Sequence, residues 1–187
     1  MTKARWILVV VVAVAALAAV LYLISRGRPE MRRETDLIEV FDTAEKRSTM
    51  PIHQAFSITP VTIDGETKRC IFAAPTSRII WQITPPPGAV LRTWIALQPE
   101  GWDKSTDGAV FRIGVSDGRS YEELLNRVVN PRTVKADRRW VPVTVDLSSY
   151  GGRQVNLIFN TNASLPGRGD DPSFDWAVWG DPVIYVQ

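Results

Sequence analysis

The sequence predicts a mainly-β protein: a single antiparallel β-sandwich preceded by one N-terminal transmembrane helix. Two observations support this prediction. Residues 6–24 contain no charged or strongly polar side chain, whereas from residue 37 onward short runs rich in Val, Ile, Phe, Thr and Trp alternate with turn residues. The first pattern is typical of a membrane span and the second of sandwich strands. We therefore predict an anchor at 1–24, a juxtamembrane linker at 25–35 and a sandwich domain at 36–187.

The anchor prediction rests on length. A helix over residues 6–24 rises 1.5 Å per residue and so covers roughly the 30 Å hydrocarbon core of a bilayer. The alternative is a cleaved signal peptide with Ala16-Leu17-Ala18 as its cleavage site. The apolar run is longer than the usual signal-peptide core, which favours an uncleaved anchor.

Small and charged residues bear on how the anchor sits in its membrane. Lys3 and Arg5 precede the span, but further arginines follow it, and a strict positive-inside count would place the domain in the cytoplasm. Because long domains can translocate despite flanking charge, we predict a single-pass protein of the bacterial inner (cytoplasmic) membrane with a periplasmic domain. Ala15 and Ala19 share one helix face and are predicted to pack against a neighbouring helix, although alanine can also be a simple apolar filler.

Nine segments of the domain are predicted to be strands, because apolar and polar residues alternate in several of them and turn signals separate them. The Asp64-Gly65 pair predicts a hairpin turn between two of the strands. Tyr121–Val129 is predicted to be a short helix that ends at Asn130-Pro131. The predicted strands are Leu37–Phe41, Ala55–Ile63, Lys68–Ala73, Arg78–Thr84, Ala89–Leu97, Ala109–Val115, Trp140–Asp146, Gln154–Thr161 and Ala177–Tyr185.

Composition excludes several classes of function. The chain has one Cys and one His, His53, which excludes an internal disulfide framework, a Cys-rich zinc site and a multi-His metal site. A formal net charge of +2 argues against nucleic acid as a partner. Gly114–Gly118 matches the G-x-S-x-G pattern of hydrolases, but the only His lies upstream, so a turn is the better interpretation. We therefore predict a protein that is not an enzyme and has no cofactor.

Acidic residues cluster near the C-terminus. Asp170, Asp171, Asp175 and Asp181 supply enough oxygen ligands in principle for Ca²⁺. Their spacing is not that of an EF-hand loop, and surface aspartates that form turns are the favoured interpretation.

Tryptophans indicate the candidate contact residues. Trp81 and Trp94 lie within predicted strands and are predicted to be core residues. Trp102 and Asp103 lie in the loop 99–108, and Asp175 and Trp176 precede the last strand. Since Trp is favoured at sugar-binding and protein-binding surfaces, we predict that these four residues contact a partner or a glycan. Core packing is nevertheless the favoured interpretation for Trp176, and for Trp102 the two interpretations are nearly balanced.

Four segments together resemble a galactose-binding-like jelly-roll module, in particular the carbohydrate-binding module attached to some glycoside hydrolases. They are Asp107–Ile113 (DGAVFRI), Trp140–Tyr150 (WVPVTVDLSSY), Val155–Phe159 and Phe174–Ile184 (FDWAVWGDPVI). The family's closing D-x-A-x-W motif is matched imperfectly, as D-W-A-V-W at 175–179. The resemblance implies a two-sheet sandwich without fixing its function.

Two functions compete at this point. The first is a non-catalytic structural or assembly subunit of a larger bacterial membrane complex, with integral membrane subunits and the lipid bilayer as partners. A specific version is an accessory subunit of a photosynthetic reaction centre–antenna complex that ligates no pigment through His. The alternative is a membrane-anchored carbohydrate-binding module for cell-wall or surface glycans. The short linker, the Ala15/Ala19 face and the lack of an attached hydrolase favour the first.

Overall fold

The computed structural model describes residues 31–163 and 171–186, and residues 33–186 form one compact unit. The predicted membrane span, with Ala15 and Ala19, lies outside the described residues. Within the described ranges, no helix is both long enough and apolar enough to cross a bilayer.

Strands make up most of the regular secondary structure in the described residues. One short helix, α1, covers Ile52–Ala55, and single 3-10 turns lie at Phe41–Thr43, Pro99–Gly101, Lys135–Asp137 and Ser148–Tyr150. The strands are β1 (Arg32–Asp36), β2 (Glu45–Ser48), β3 (Phe56–Ile63), β4 (Glu66–Ala73), β5 (Ser77–Ile83), β6 (Val90–Leu97), β7 (Ala109–Ser116), β8 (Tyr121–Val129), β9 (Val141–Asp146), β10 (Val155–Asn162) and β11 (Ala177–Val186).

These strands form two antiparallel sheets. The first, sheet A, has the order β3-β4-β11-β6-β9, with β1 also paired to β11. The second, sheet B, has the order β2-β5-β10-β7-β8. The predicted mainly-β sandwich is therefore confirmed for the described residues. Eight of the predicted strands begin and end within two residues of the observed ones.

An aromatic cluster holds the two sheets together. The Trp81 ring lies 5.1 Å from the Phe159 ring, and Trp179 lies 4.4 Å from Phe159 and 4.9 Å from Phe111, measured between centroids. The indole N–H of Trp179 donates to Thr161 Oγ1 at 3.1 Å, which satisfies its one polar atom. Such tilted and edge-on contacts add to the large apolar area that each ring buries. The prediction that Trp81 is a core residue is confirmed.

The helix predicted over Tyr121–Val129 is wrong, because this segment is strand β8 and pairs with β7 along its length. Leu124, Leu125 and Val128 have the spacing of an apolar helix face, which suggested the helix. Leu124 is the extra residue where the register shifts opposite Ile113 and Gly114, and this β-bulge lets both consecutive leucines be half-buried against the core. Pairing with a neighbouring strand overrides local propensity here.

The start of the domain also differs from the prediction. Leu37–Phe41 is not a strand: β1 ends at Asp36, whose Oδ1 accepts a hydrogen bond from the Ile38 backbone N–H at 2.9 Å and turns the chain. Leu37 is nevertheless buried, so the apolar residues of this segment pack in the core without forming a strand. Strand β2 was missed because Glu45–Ser48 is a charged edge strand without apolar alternation. Strand β1 lies largely within the residues predicted to be linker.

Candidate functional site

The outer face of sheet A, which points away from the core, carries a second apolar cluster. Alternate residues of β3, β4, β6 and β11 project to this side, as the period of a strand requires. The cluster is formed by Val61, Ile63, Cys70, Ala96, Trp140 and Val178, with Phe72, Trp94 and Trp102 packed against it. The solvent-facing side of a sandwich sheet is ordinarily polar, so an apolar cluster on the outer face of sheet A is unusual.

Lys68 lies in the middle of this cluster, although lysine is almost never buried without a partner. Its side chain is 4% exposed, and its ammonium lies 3.6 Å from the Trp94 ring centroid and 5.7 Å from that of Trp140. Glu66 forms an ion pair with it. A β-carbon at Gly180 would lie 3.1 Å from both Lys68 Cδ and Trp140, so glycine leaves room for this packing. Trp94 is therefore half-buried on the outer face and not in the inter-sheet core, contrary to the prediction.

Trp176 stands where two grooves meet at one edge of this cluster. The grooves have volumes of about 300 and 350 Å³, and Phe72 and Trp176 line both of them. We call the two together the Trp176 groove. Its polar lining comes from the segments around the two rings, namely Gln54, Ser57, Thr59, Gln98, Ser173 and Asp175.

The loop 99–108 packs against the segment that carries Trp176 and supports it. A β-carbon at Gly101 would lie 2.7 Å from the carbonyl oxygen of Phe174, so the absence of a side chain at 101 lets the loop 99–108 approach the segment before β11. The Lys104 ammonium lies 5.2 Å from the Phe174 ring centroid and 4.9 Å from that of Trp176. A cation at these distances is attracted to the ring faces and helps to hold the rings in place.

The side chain of Asp175 holds the segment before β11 against the loop 99–108. Asp175 is 0% exposed, and its Oδ1 accepts hydrogen bonds from the Thr106 hydroxyl and, at 3.2 Å, from the Gly108 backbone N–H. Its other oxygen, Oδ2, is buried without a hydrogen-bond partner among the described residues. Burial is the main reason why the pKa of Asp175 rises to about 7, and the nearby carboxylates of Asp107 and Asp171 raise it further. Asp175 thus lines one of the two grooves but is itself fully buried.

Trp102 and Asp103 also have structural partners. The Trp102 indole N–H donates to the Leu97 carbonyl oxygen at 2.8 Å, and the ring packs against both apolar clusters. Asp103 is paired with Arg138 at 2.6 Å, and the Arg138 guanidinium lies 5.7 Å from the Trp102 ring. The core-packing alternative thus describes Trp102 better than a free contact surface does.

The four predicted contact residues therefore do lie on two neighbouring loops, but only Trp176 lines the grooves with a half-exposed ring. Phe72 and Gln98 were missed, because both lie on strands or strand ends whose outward face was not assigned. One signal could have found Phe72. The two-residue turn at Asp64-Gly65 fixes the β3–β4 register, which places Phe72 directly opposite Ser57.

The described residues contain no group of three or more His, Cys, Asp or Glu side chains that could hold a metal ion. Asp175 Oδ2 and Asp107 Oδ1 are buried without partners, whereas Asp181 Oδ1 accepts a hydrogen bond from the Arg69 backbone N–H. Asp170 lies outside the described residues.

The G-x-S-x-G segment forms the end of β7 and the start of the turn to β8, in agreement with the turn interpretation. The Ser116 hydroxyl donates to the Ser120 carbonyl oxygen at 2.7 Å and accepts from the Gly118 N–H at 3.1 Å. Asp117 Oδ1 accepts from the backbone N–H groups of Arg119 and Ser120. Both side chains therefore stabilise the loop between β7 and β8.

No family model matches the sequence. An uncharacterized protein from Archaeoglobus fulgidus is 36% identical over 129 residues, which cover 65% of this chain and 32% of that relative. The chain thus spans about a third of the length of the curated relative that it matches.

Solved structures with a similar fold are carbohydrate-binding modules. One is TmCBM61 in complex with β-1,4-galactotriose, with a TM-score of 0.53 at 10% identity over 83% of this chain and 99% of that one. Another is CBM51 from the Clostridium perfringens GH95 protein in complex with methyl-galactose, with a TM-score of 0.52 at 15% identity over 81% and 99%. Identities this low show the fold alone. The resemblance to a galactose-binding-like jelly-roll module is confirmed at that level: the described domain has the fold of these modules.

Proposed function

We propose that the sandwich domain binds a carbohydrate in the Trp176 groove and has no catalytic role. The observation that carries this proposal is the half-exposed indole of Trp176, shared by two adjoining grooves and surrounded by hydroxyl and amide side chains. The fold similarity to carbohydrate-binding modules supports a binding function.

The chemistry of the groove suits a sugar. A pyranose ring has an apolar C–H face that packs on an aromatic ring, and hydroxyl groups at its rim that need hydrogen-bond partners. Trp176 and Phe72 offer the apolar surface, while Ser57, Thr59 and Gln98 offer donors and acceptors. Because Lys104 and Asp175 hold the Trp176 segment from two sides, little conformational entropy is lost when a ligand binds.

A neutral, galactose-containing glycan is the ligand class to test first, since two proteins of similar fold were solved with methyl-galactose and with β-1,4-galactotriose. We further propose that the apolar N-terminal segment anchors the domain at a bacterial membrane and that the domain faces the periplasm or the cell wall. Nothing in the described residues supports docking on a membrane complex or a link to photosynthesis, so the glycan-binding alternative is preferred.

Affinity gel electrophoresis of the full-length chain tests this proposal. The chain would be kept in mild detergent because of its apolar segment, and β-1,4-galactan would be included in the gel. We expect galactan to retard the wild-type protein and Trp176→Ala to lose most of this retardation. Val134→Ala, which removes an exposed apolar side chain from the loop after β8, is the matched control and should migrate like wild type. Equal retardation of all three proteins would refute the assignment of the groove.

A further inference from the structure

Three arginines form a row across the outer face of sheet B. The strand registers place Arg47 directly opposite Arg78, Arg78 opposite Asn160, and Asn160 opposite Arg112. Neighbouring strands lie about 4.8 Å apart, so the row spans about 15 Å across four strands. We call Arg47, Arg78, Asn160 and Arg112 the arginine row.

Like charges directly opposite each other destabilise a sheet, so such a row needs negative partners. The protein supplies few of them. Arg47 pairs with the exposed Glu45, and Arg112 Nε lies 3.6 Å from Glu123, too far for a hydrogen bond.

The guanidinium groups of Arg112 and Arg78 keep hydrogen-bonding capacity that the described residues do not use. The Nε–H of Arg112 is buried and has no hydrogen-bond partner among the described residues. Arg78 makes no ion pair with the described residues, and its Nε–H donates to Asn160 Oδ1 at 2.6 Å. That hydrogen bond fixes one edge of the guanidinium and leaves the other available.

Two grooves run along the row and share part of it. Their volumes are about 250 and 390 Å³, and both are lined by Arg78, Asn160 and Asn162. The second groove also contains Tyr121, whose side chain is 49% exposed. A β-carbon at Gly114 would lie 2.4 Å from the Tyr121 ring, so the ring lies flat over the backbone of β7 at this glycine.

We propose that this face of sheet B is a second binding site, which takes an acidic polysaccharide whose sugars carry carboxylates. Guanidinium groups bind carboxylates in a planar, two-pronged geometry, and repeated carboxylates along a polyuronate chain would meet successive arginines of the row. Asn160 and Asn162 would bind sugar hydroxyls, and the Tyr121 ring would pack on a sugar face. The proposal extends the glycan-binding function but uses a different sheet from the Trp176 groove.

Other polyanions fit this surface less well. Single-stranded nucleic acid is bound by several stacking aromatic rings along a strongly basic groove, whereas here one tyrosine stands among three arginines and two glutamates. An anionic membrane would favour a broad apolar surface beside the cations. Besides the arginines, Tyr121, Glu123 and Ile158, the grooves are lined by serine, threonine and asparagine.

Affinity electrophoresis of the full-length chain with polygalacturonate or alginate in the gel tests the proposal. We expect these polyuronates to retard the wild-type protein and fully methyl-esterified polygalacturonate not to retard it. Arg78→Gln and Arg112→Gln should each weaken the interaction by about tenfold or more, as expected for the loss of a charged hydrogen bond. The matched control is Arg92→Gln, which removes an exposed arginine from sheet A and should behave like wild type.

Several results would overturn this second site. They are no retardation by either polyuronate, equal weakening by Arg78→Gln and Arg92→Gln, tighter binding to duplex DNA, or binding to phosphatidylglycerol vesicles that Arg78→Gln weakens. Trp176→Ala separates the two sites, since it should abolish galactan binding and leave polyuronate binding intact. If Trp176→Ala abolishes polyuronate binding while Arg78→Gln does not, the Trp176 groove is the polyuronate site and the arginine row is not.

Discussion

Asp175 and Trp176 show how adjacent residues divide between structure and function. Asp175 turns inward and fastens the segment to Thr106 and Gly108, while Trp176 turns outward into the groove. The sequence indicated both as contact residues, since Asp and Trp are common in binding sites. Which of the two faces solvent depends on how loop 99–108 packs against this segment, and that is a tertiary contact.

The buried carboxyl of Asp175 predicts an unusual pH dependence of stability. Its pKa rises from 3.8 to about 7 on folding, so between these values the folded protein keeps a proton that the unfolded chain has released. The free energy of unfolding should therefore fall as pH rises from about 4 to about 7 and then level off. Asp175→Asn should remove this slope and be more stable than wild type above pH 7, by up to about 4 kcal/mol at 1.4 kcal/mol per pKa unit. Urea denaturation across this pH range measures the effect.

Asp146→Asn is the control for this experiment. Hydrogen bonds from Ser148 lower the pKa of the exposed Asp146, so its replacement should leave the fall between pH 4 and 7 in place. A wild-type stability that instead increases over this range, and drops on addition of EDTA, would contradict the prediction by showing that a cation satisfies the Asp175 carboxylate.

At the scale of elements, the β3–β4 hairpin shows what could be read from sequence. The Asp64-Gly65 turn was recognised, and Asp64 and Gly65 have φ values of 51° and 79°, the left-handed conformations that such a two-residue turn requires. The turn fixes the register, and the register places Phe72 and Ser57 side by side in the groove. The placement of Phe72 beside Ser57 thus follows from the residues of the turn, which are visible in the sequence.

Gly65→Ala should destabilise the protein by about 1 kcal/mol, because a side chain disfavours the left-handed backbone. No heavy atom lies within 4 Å of a β-carbon built at Gly65, so the cost is one of backbone conformation alone. Gly65→Asn, which tolerates this conformation, should lose much less. Denaturant unfolding of the two variants provides the measurement, and equal losses would argue against the turn geometry.

Other elements could not be predicted locally. Strand β8 has the apolar spacing of a helix and exists because β7 pairs with it, whereas β2 carries charges and pairs with β5 at the sheet edge. Likewise, the arginine row arises only when β2, β5, β10 and β7 are aligned. Register between strands far apart in sequence is set by packing, which no short window of sequence contains.

At the scale of the whole molecule, one aromatic cluster supports two outer faces. Trp179 contacts Phe111 and Phe159 between the sheets, so the relative position of the sheets depends on it. Sheet A carries the aromatic groove outside this core and sheet B carries the arginine row. The two proposed sites thus lie on opposite sides of the described domain.

Trp179→Phe should lower the free energy of unfolding by about 1–3 kcal/mol, because it leaves a cavity in the core and the Thr161 hydroxyl without its donor. Trp94→Phe, made on the half-exposed outer face, should cost less and serves as the control. Thermal unfolding followed by circular dichroism compares them. A larger loss for Trp94→Phe would contradict the assignment of the core.

The most direct test of the central claim is a calorimetric titration of the full-length protein with β-1,4-galactotriose, carried out for wild type, Trp176→Ala and Val134→Ala. Carbohydrate binding at the Trp176 groove predicts saturable binding of one sugar per chain by wild type and Val134→Ala, and a loss of at least about tenfold in affinity for Trp176→Ala. Binding that is unchanged by Trp176→Ala, or no binding of this or any neutral glycan by the wild-type protein, would contradict the account.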